Sequence, residues 1–228
     1  MPHRTSSYDW LSMSHRRQRI ERSPSVAYPA LIGYVMGNFP SADLASRISG
    51  AGTRIRTSGS GNPGATNAAK VLGRAWGSAV LAVDVAKGAG ATSIGSAIAG
   101  QPGAFAAGLG SVIGHSYPIG RGGGKGVATR YGALVAVVPA QVIFELAVAA
   151  VALRISRRPL VAMAVSTFVA SAAGVTALRH RSCRNNVAGI TLGAASAVVV
   201  LLRFIQDRPA ALADPVHQIG PGPRAPIS

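Results

Sequence analysis

Charge is scarce in this 228-residue chain: Asp, Glu, Lys and Arg make up 13% of it, against roughly 25% in an ordinary soluble domain. Aromatic residues are scarcer still, at 5%, too few to fill the core of a soluble fold of this size with large rings. A single cysteine, Cys183, excludes an intrachain disulfide and any cysteine-rich metal site, so nothing points to an oxidising compartment. Acidic groups are also few: seven, against 23 Lys and Arg, for a net charge of +16.

What the chain has instead is small residues, with 41 alanines and 28 glycines. Gly, Ala, Ser and Thr allow helix backbones to approach closely inside a bilayer, where hydrophobicity does not drive one helix onto another. A collagen reading fails for want of a Gly-X-Y period. Disorder fails because 48% of the chain is apolar and its mean hydropathy is +0.31. In a soluble protein, +16 would suggest nucleic acid. Here the charges fall between apolar runs, where they serve membrane topology and contact with anionic head groups and can also hold phosphorylated substrates. Membrane lipids, and no nucleic acid, are therefore the expected surroundings.

Along the chain, residues 1–25 read as a basic tail carrying Arg4, Arg16, Arg17, Arg19 and Arg22. It lacks the apolar core and small-residue cleavage end of a secretory signal. A weakly apolar first span at 26–48 is interrupted by Asn38, Pro40 and Asp43, and apolar stretches follow at 75–100, 103–119, 127–153, 159–178 and 187–202. A membrane domain at 26–206 then gives way to an irregular proline-rich tail at 207–228. Six spans divide the loop lysines and arginines evenly, 11 to 11. A bend near Pro139 changes that. The 29 residues 127–155 would measure about 43 Å as one straight helix; folded into a short hairpin they give seven crossings and a 14 to 8 division with the C-terminus cytoplasmic. The expectation is an all-α, polytopic bundle of about seven transmembrane helices, six being the alternative.

Two glycine-rich loops hold the densest polar chemistry. In Ser58-Gly59-Ser60-Gly61-Asn62-Pro63-Gly64-Ala65-Thr66-Asn67, the glycines permit successive N–H groups to point at one anion, and Ser60, Thr66 and Asn67 add donors near a helix N-terminus. A flexible linker has no need of two asparagines and a threonine. In Gly120-Arg121-Gly122-Gly123-Gly124-Lys125-Gly126-Val127-Ala128-Thr129, Lys125 supplies a point charge within a glycine-lined seat. A Walker A loop is not supported, because Ile119 stands where that motif needs Gly and Gly126 where it needs Ser or Thr.

Asp84 and Lys87 lie inside an apolar stretch at i and i+3, on one helical face where they can pair. An intramembrane charge is expensive unless paired, and by default marks either a functional site or a structural ion pair between helices. Glu145 has no local partner, since Arg154 is too far along. His115, in Gly114-His115-Ser116-Tyr117-Pro118, reads most simply as an interfacial residue. His180 and His217 are isolated, so no metal-ligand spacing is present. The serines have no nearby base and no G-x-S-x-G elbow, so a hydrolase triad is unsupported.

The segments GSGNPGATN with a following lysine and VLG, then VDVAKG, GHSYP and GGGKGVAT, resemble in order and interval the bacterial acyl-phosphate:glycerol-3-phosphate acyltransferases. The resemblance spans roughly residues 31–205. It implies an enzyme of the cytoplasmic membrane, its active site facing the cytoplasm, that transfers a fatty acyl group from acyl phosphate to the 1-hydroxyl of glycerol 3-phosphate. The products would be lysophosphatidic acid and phosphate, with no cofactor and no metal. Ser60, Lys125 and Lys70 would be catalytic. Gly59, Gly61, Asn62, Thr66, Asn67, Gly123, Gly124, Gly126 and His115 would bind substrate, with Asp84 and Lys87 supporting. Lys70 stands where the family has arginine. Phe204 and Asp207 replace the histidine and asparagine of a closing H-x-x-N motif, unless His180 with Asn185 or Asn186 supplies a shifted one. A second reading follows from that change: a catalytically impaired relative that binds lipid phosphates or regulates in the membrane.

Overall fold

A computed structural model of the chain describes residues 25–51, 54–177 and 187–207. The basic tail, nearly all of the C-terminal tail, and Arg179, His180, Cys183, Asn185, Asn186 and His217 lie outside the described residues. All regular structure within them is helical: α1 Ala27–Gly37, α2 Ser41–Ile48, α3 Arg54–Thr57, α4 Ala65–Val71, α5 Arg74–Ser116, α6 Val127–Val135, α7 Pro139–Ser156, α8 Pro159–Ala177 and α9 Val187–Gln206.

The breaks follow local chemistry. The apolar stretch at 26–48 does not form one span. Pro40 disfavours helix at Phe39 and cannot donate a backbone hydrogen bond, so α1 stops after 11 residues and α2 begins at Ser41, with Asp43 in its first turn facing the helix dipole favourably. Within α5 the backbone leaves helical geometry at Ala99 and Gly100, where Gly100 takes φ +59°, and Pro102 follows. The two limbs, 74–98 and 101–116, fold back on each other. Gly95 and Gly103 would stand about 12 Å apart in a straight helix, yet a Cβ built on either would strike the other's carbonyl. Pro139 occupies the first turn of α7, the position where its missing N–H costs nothing.

Small residues carry the packing, as their abundance predicts. Gly33 and Gly37 of α1 lie against the backbone of Ala107 and Ser111, while Gly110 and Gly114 of α5 lie against Ala30 and Tyr34. These two small-xxx-small stripes leave no room for a Cβ on either side, so the helix axes come as close as backbone permits. Gly88 and Gly132 bring α5 and α6 together in the same way, against Thr129 and Val85. Helix α9 packs on α5, α6 and α8, and α7 lies mainly along α8.

Three helices among the described residues are long and apolar enough to cross a bilayer: Pro139–Ser156, Pro159–Thr176 and Gly189–Gln206. Many of their large side chains, including Ile143, Phe144, Val151 and Phe168, face outward, as lipid-facing residues do. The break near Pro139 is a true reversal. Arg130 of α6 and Glu145 of α7 would stand about 22 Å apart on a straight helix, but Arg130 Nη1 lies 2.9 Å from Glu145 Oε1. Glu145 thus has a partner after all, and Arg130 is a buried bundle residue rather than a loop charge. The end of α9 reaches the same side as both glycine loops.

Candidate active site

The first glycine loop is shaped by Asn67, at the start of α4. Its Nδ2 donates to the carbonyls of Ile55 (2.8 Å) and Ser58 (3.1 Å), and its Oδ1 accepts the Ser60 N–H at 2.9 Å. Both amide hydrogens are committed to the loop's own backbone, so Asn67 holds Ser60 in place rather than offering donors to a ligand. Gly59 takes φ +63°, and a Cβ there would collide with Asn67 Oδ1. The loop geometry and the asparagine require each other. Substituting Asn67→Asp turns two donors into acceptors aimed at carbonyls. Leaving these groups unmatched is expected to cost about 1–3 kcal/mol locally, read as faster hydrogen exchange at the Ser60 amide; unchanged exchange would show that the clamp is dispensable.

Arg56, in α3, joins the two loops. Its Nε and Nη2 donate to the two carboxylate oxygens of Asp43, each at 2.7 Å, and its Nη1 donates to the Gly122 carbonyl at 3.0 Å. Hydrogen bonding to Asp43 raises its pKa above the ordinary arginine value, outweighing partial burial. Gly124 N–H donates to the His115 carbonyl at 3.2 Å, and a side chain at Gly123 or Gly124 would overlap Ser116 or His115. The second loop is therefore folded tightly onto the end of α5, and Gly126 caps α6 at φ +80°.

Beneath the loops lies a buried polar network. Asp84, 2% exposed at its side chain, accepts a 2.6 Å hydrogen bond from Ser41 and pairs with Lys87 at 2.9 Å. His115 Nδ1 is 3.6 Å from the same carboxylate, and Lys87 also donates to the Phe39 carbonyl at 3.3 Å. The i,i+3 pair is present as its spacing predicts. Ser41 and His115 join it only through the fold.

The closing segment arrives from α9. Arg203 Nη2 donates to the Gly123 carbonyl at 2.9 Å, and its Nη1 lies 3.3 Å from Asp207 Oδ1. The Lys125 ammonium sits 4.6 Å from the centre of the Phe204 ring, and Tyr117 donates to Gln206 at 3.0 Å. A cavity of about 200 Å³ results, lined by Arg56, Ser60, Gly61, Asn62, Pro63, Gly122, Gly123, Arg203 and Asp207. A second, of about 20 Å³, adjoins it across Arg56 and is bordered by Lys87, His115, Arg121, Gly123 and Gly124 among others. The fold thus gathers Ser60, Gly61, Asn62 and Gly123 at one cavity and His115, Lys87 and Gly124 at the other. Thr66 and Lys70 are exposed and line neither, and Lys125, Gly59, Asn67, Gly126 and Asp84 also lie outside both linings. Arg56, Arg203 and Ser41 are the additions that sequence reasoning missed.

A helical membrane protein with two interlocked glycine loops over a basic cavity is the class defined by this architecture. The family model for glycerol-3-phosphate acyltransferase matches residues 28–213, and the chain belongs to that family. It is 39% identical over 127 residues to glycerol-3-phosphate acyltransferase 1 of Rhizobium johnstonii, a match covering 55% of this chain and 61% of the relative. It is 44% identical over 107 residues to the Brucella ovis glycerol-3-phosphate acyltransferase, covering 46% and 52%. The matches thus span between half and three-fifths of those relatives' lengths. Two crystal structures of PlsY (YgiH), an integral membrane glycerol 3-phosphate acyltransferase, superpose on the fold. The glycerol 3-phosphate form gives a TM-score of 0.67 at 28% identity and the lysophosphatidic acid form 0.68 at 26%. Each covers 83% of this chain and 93% of the solved one.

Proposed function

We propose that the protein is an acyltransferase of the cytoplasmic membrane, its site facing the cytoplasm, which moves a fatty acyl group from acyl phosphate to the 1-hydroxyl of glycerol 3-phosphate. The observation that carries this reading is the meeting of both glycine loops and the end of α9 around one cavity with two guanidiniums, Arg56 and Arg203, in its wall. The PlsY structures holding glycerol 3-phosphate and lysophosphatidic acid support the choice of substrate and product.

Acyl phosphate is an activated mixed anhydride, so the protein has mainly to position the hydroxyl and stabilise phosphate charge. The glycerol oxygen attacks the acyl carbonyl, an ester C–O bond forms, and the anhydride C–O bond breaks with its electron pair leaving on phosphate. The hydroxyl proton passes to that phosphate. Ser60 and Asn62 orient the reacting groups, the second loop and Lys125 hold a phosphate, and Asp84 with Lys87 supports the loops from below. Lys70 adds long-range charge from its exposed position.

Purified protein in lipid, supplied with acyl phosphate and glycerol 3-phosphate, is expected to release equal amounts of lysophosphatidic acid and phosphate, and to slow sharply on Ser60→Ala. Glycerol 3-phosphate binding without product would favour the second reading, a lipid-phosphate-binding relative. Its motive is Phe204 and Asp207 at the closing segment.

A further inference from the structure

We propose that the Arg203 guanidinium is a phosphate ligand of the large cavity and that the Asp207 carboxylate occupies it until a substrate phosphate takes its place. This rests on the acyltransferase reading of the same site and assigns one of its phosphate contacts.

The two arginines in the cavity wall are held differently. Arg56 is neutralised by a fork-to-fork pair with Asp43, both contacts at 2.7 Å. Such bidentate pairs are the strong ones. Arg203 has one contact to its carboxylate, Nη1 to Asp207 Oδ1 at 3.3 Å, long for a charged hydrogen bond. Its Nη2 is tethered to the Gly123 carbonyl, which fixes the plane of the guanidinium against the second loop without cancelling its charge. Its Nε is buried with no partner. The positive charge at this wall is therefore positioned but only weakly countered.

Asp207 is the weaker side of the pair. It lies just past the C-terminus of α9, where the helix dipole disfavours an anion and favours Arg203 in the last turn. Its side chain is 20% exposed, so water can take it over when it lets go. A dianionic phosphate entering the cavity repels this carboxylate and presents three oxygens to the guanidinium in its stead. The closing segment, having no histidine or asparagine here, then contributes an arginine as its phosphate contact.

Asp207→Asn is nearly isosteric and lies at a part-exposed helix end, so the variant is expected to fold. It removes the competing anion and is expected to lower KM by about tenfold, the size of one charged hydrogen bond, for whichever of glycerol 3-phosphate and acyl phosphate lands on Arg203. Titrating inorganic phosphate and glycerol 3-phosphate calorimetrically into the protein in nanodiscs reads the same gain as tighter binding, independent of turnover. Arg203→Lys is expected to weaken binding and erase the difference made by Asp207→Asn. Wild-type turnover with unchanged KM and binding in Asp207→Asn overturns the inference alone. A fall in kcat at constant KM also overturns it, placing the carboxylate on the reacting hydroxyl. If no variant turns over but Asp207→Asn binds glycerol 3-phosphate more tightly, the phosphate contact stands and the acyltransferase reading fails.

Discussion

Lys125→Ala is expected to lower kcat by about 10²–10³, the order of loss when one preorganised donor to a developing oxyanion is removed. The ammonium lies 4.6 Å above the Phe204 ring. An aromatic face attracts a cation through its quadrupole but carries no net charge, so the ring positions Lys125 while leaving it positive. A carboxylate in the same place would neutralise it. Phe204→Leu therefore tests the other half of the argument: the charge remains but its position loosens, for an expected loss of about tenfold, in line with a partly desolvated cation–π contact. Initial rates of phosphate release with both substrates distinguish the two. Wild-type turnover in Lys125→Ala would remove this residue from the site.

The glycine loops and the Asp84–Lys87 pair are visible in sequence because their signals are local: glycines next to donors, and charges three residues apart on one helix. Phe204 and Asp207 were visible only as departures from a pattern, with nothing to say where they go. The fold answers that: Phe204 meets Lys125, and Asp207 meets Arg203. Arg56 had no local signature at all. Its contact with Gly122 spans 66 residues, and that of Arg203 with Gly123 spans 80. Such pairs arise from the packing of α1 and of α9 on α5, which does not mark in sequence which polar groups will meet. Asn67 shows a different limit. Its type suggested a substrate donor, but whether an amide faces a ligand or its own loop depends on backbone geometry that residue identity does not encode.

The partner of Glu145 was more accessible than it looked. A reversal near Pro139 centres on residues 137 and 138, and Arg130 and Glu145 are equidistant from that point, as hairpin partners should be. The structure places both side chains at 1% exposure. Arg130 Nη2 donates to Glu145 Oε2 at 3.1 Å and lies 3.4 Å from Thr167 Oγ1 and 3.3 Å from the Gly193 carbonyl, while Thr167 donates to Glu145 Oε1 at 2.8 Å. One ion pair thus ties α6, α7, α8 and α9 together. Nη1 is close to Oε1 but off the hydrogen-bond direction, and Nε has no partner, so the network is incompletely satisfied. Removing either charge strands the other where neither water nor lipid can compensate. Arg130→Ala and Glu145→Ala are each expected to destabilise the protein by about 3–5 kcal/mol, read as a large fall in Tm in detergent. The double variant Arg130→Met with Glu145→Leu removes both charges and keeps the volume, so it is expected to recover most of that loss. If the double variant is as unstable as the single ones, what holds the hairpin is the geometry of this network and not the balance of its two charges.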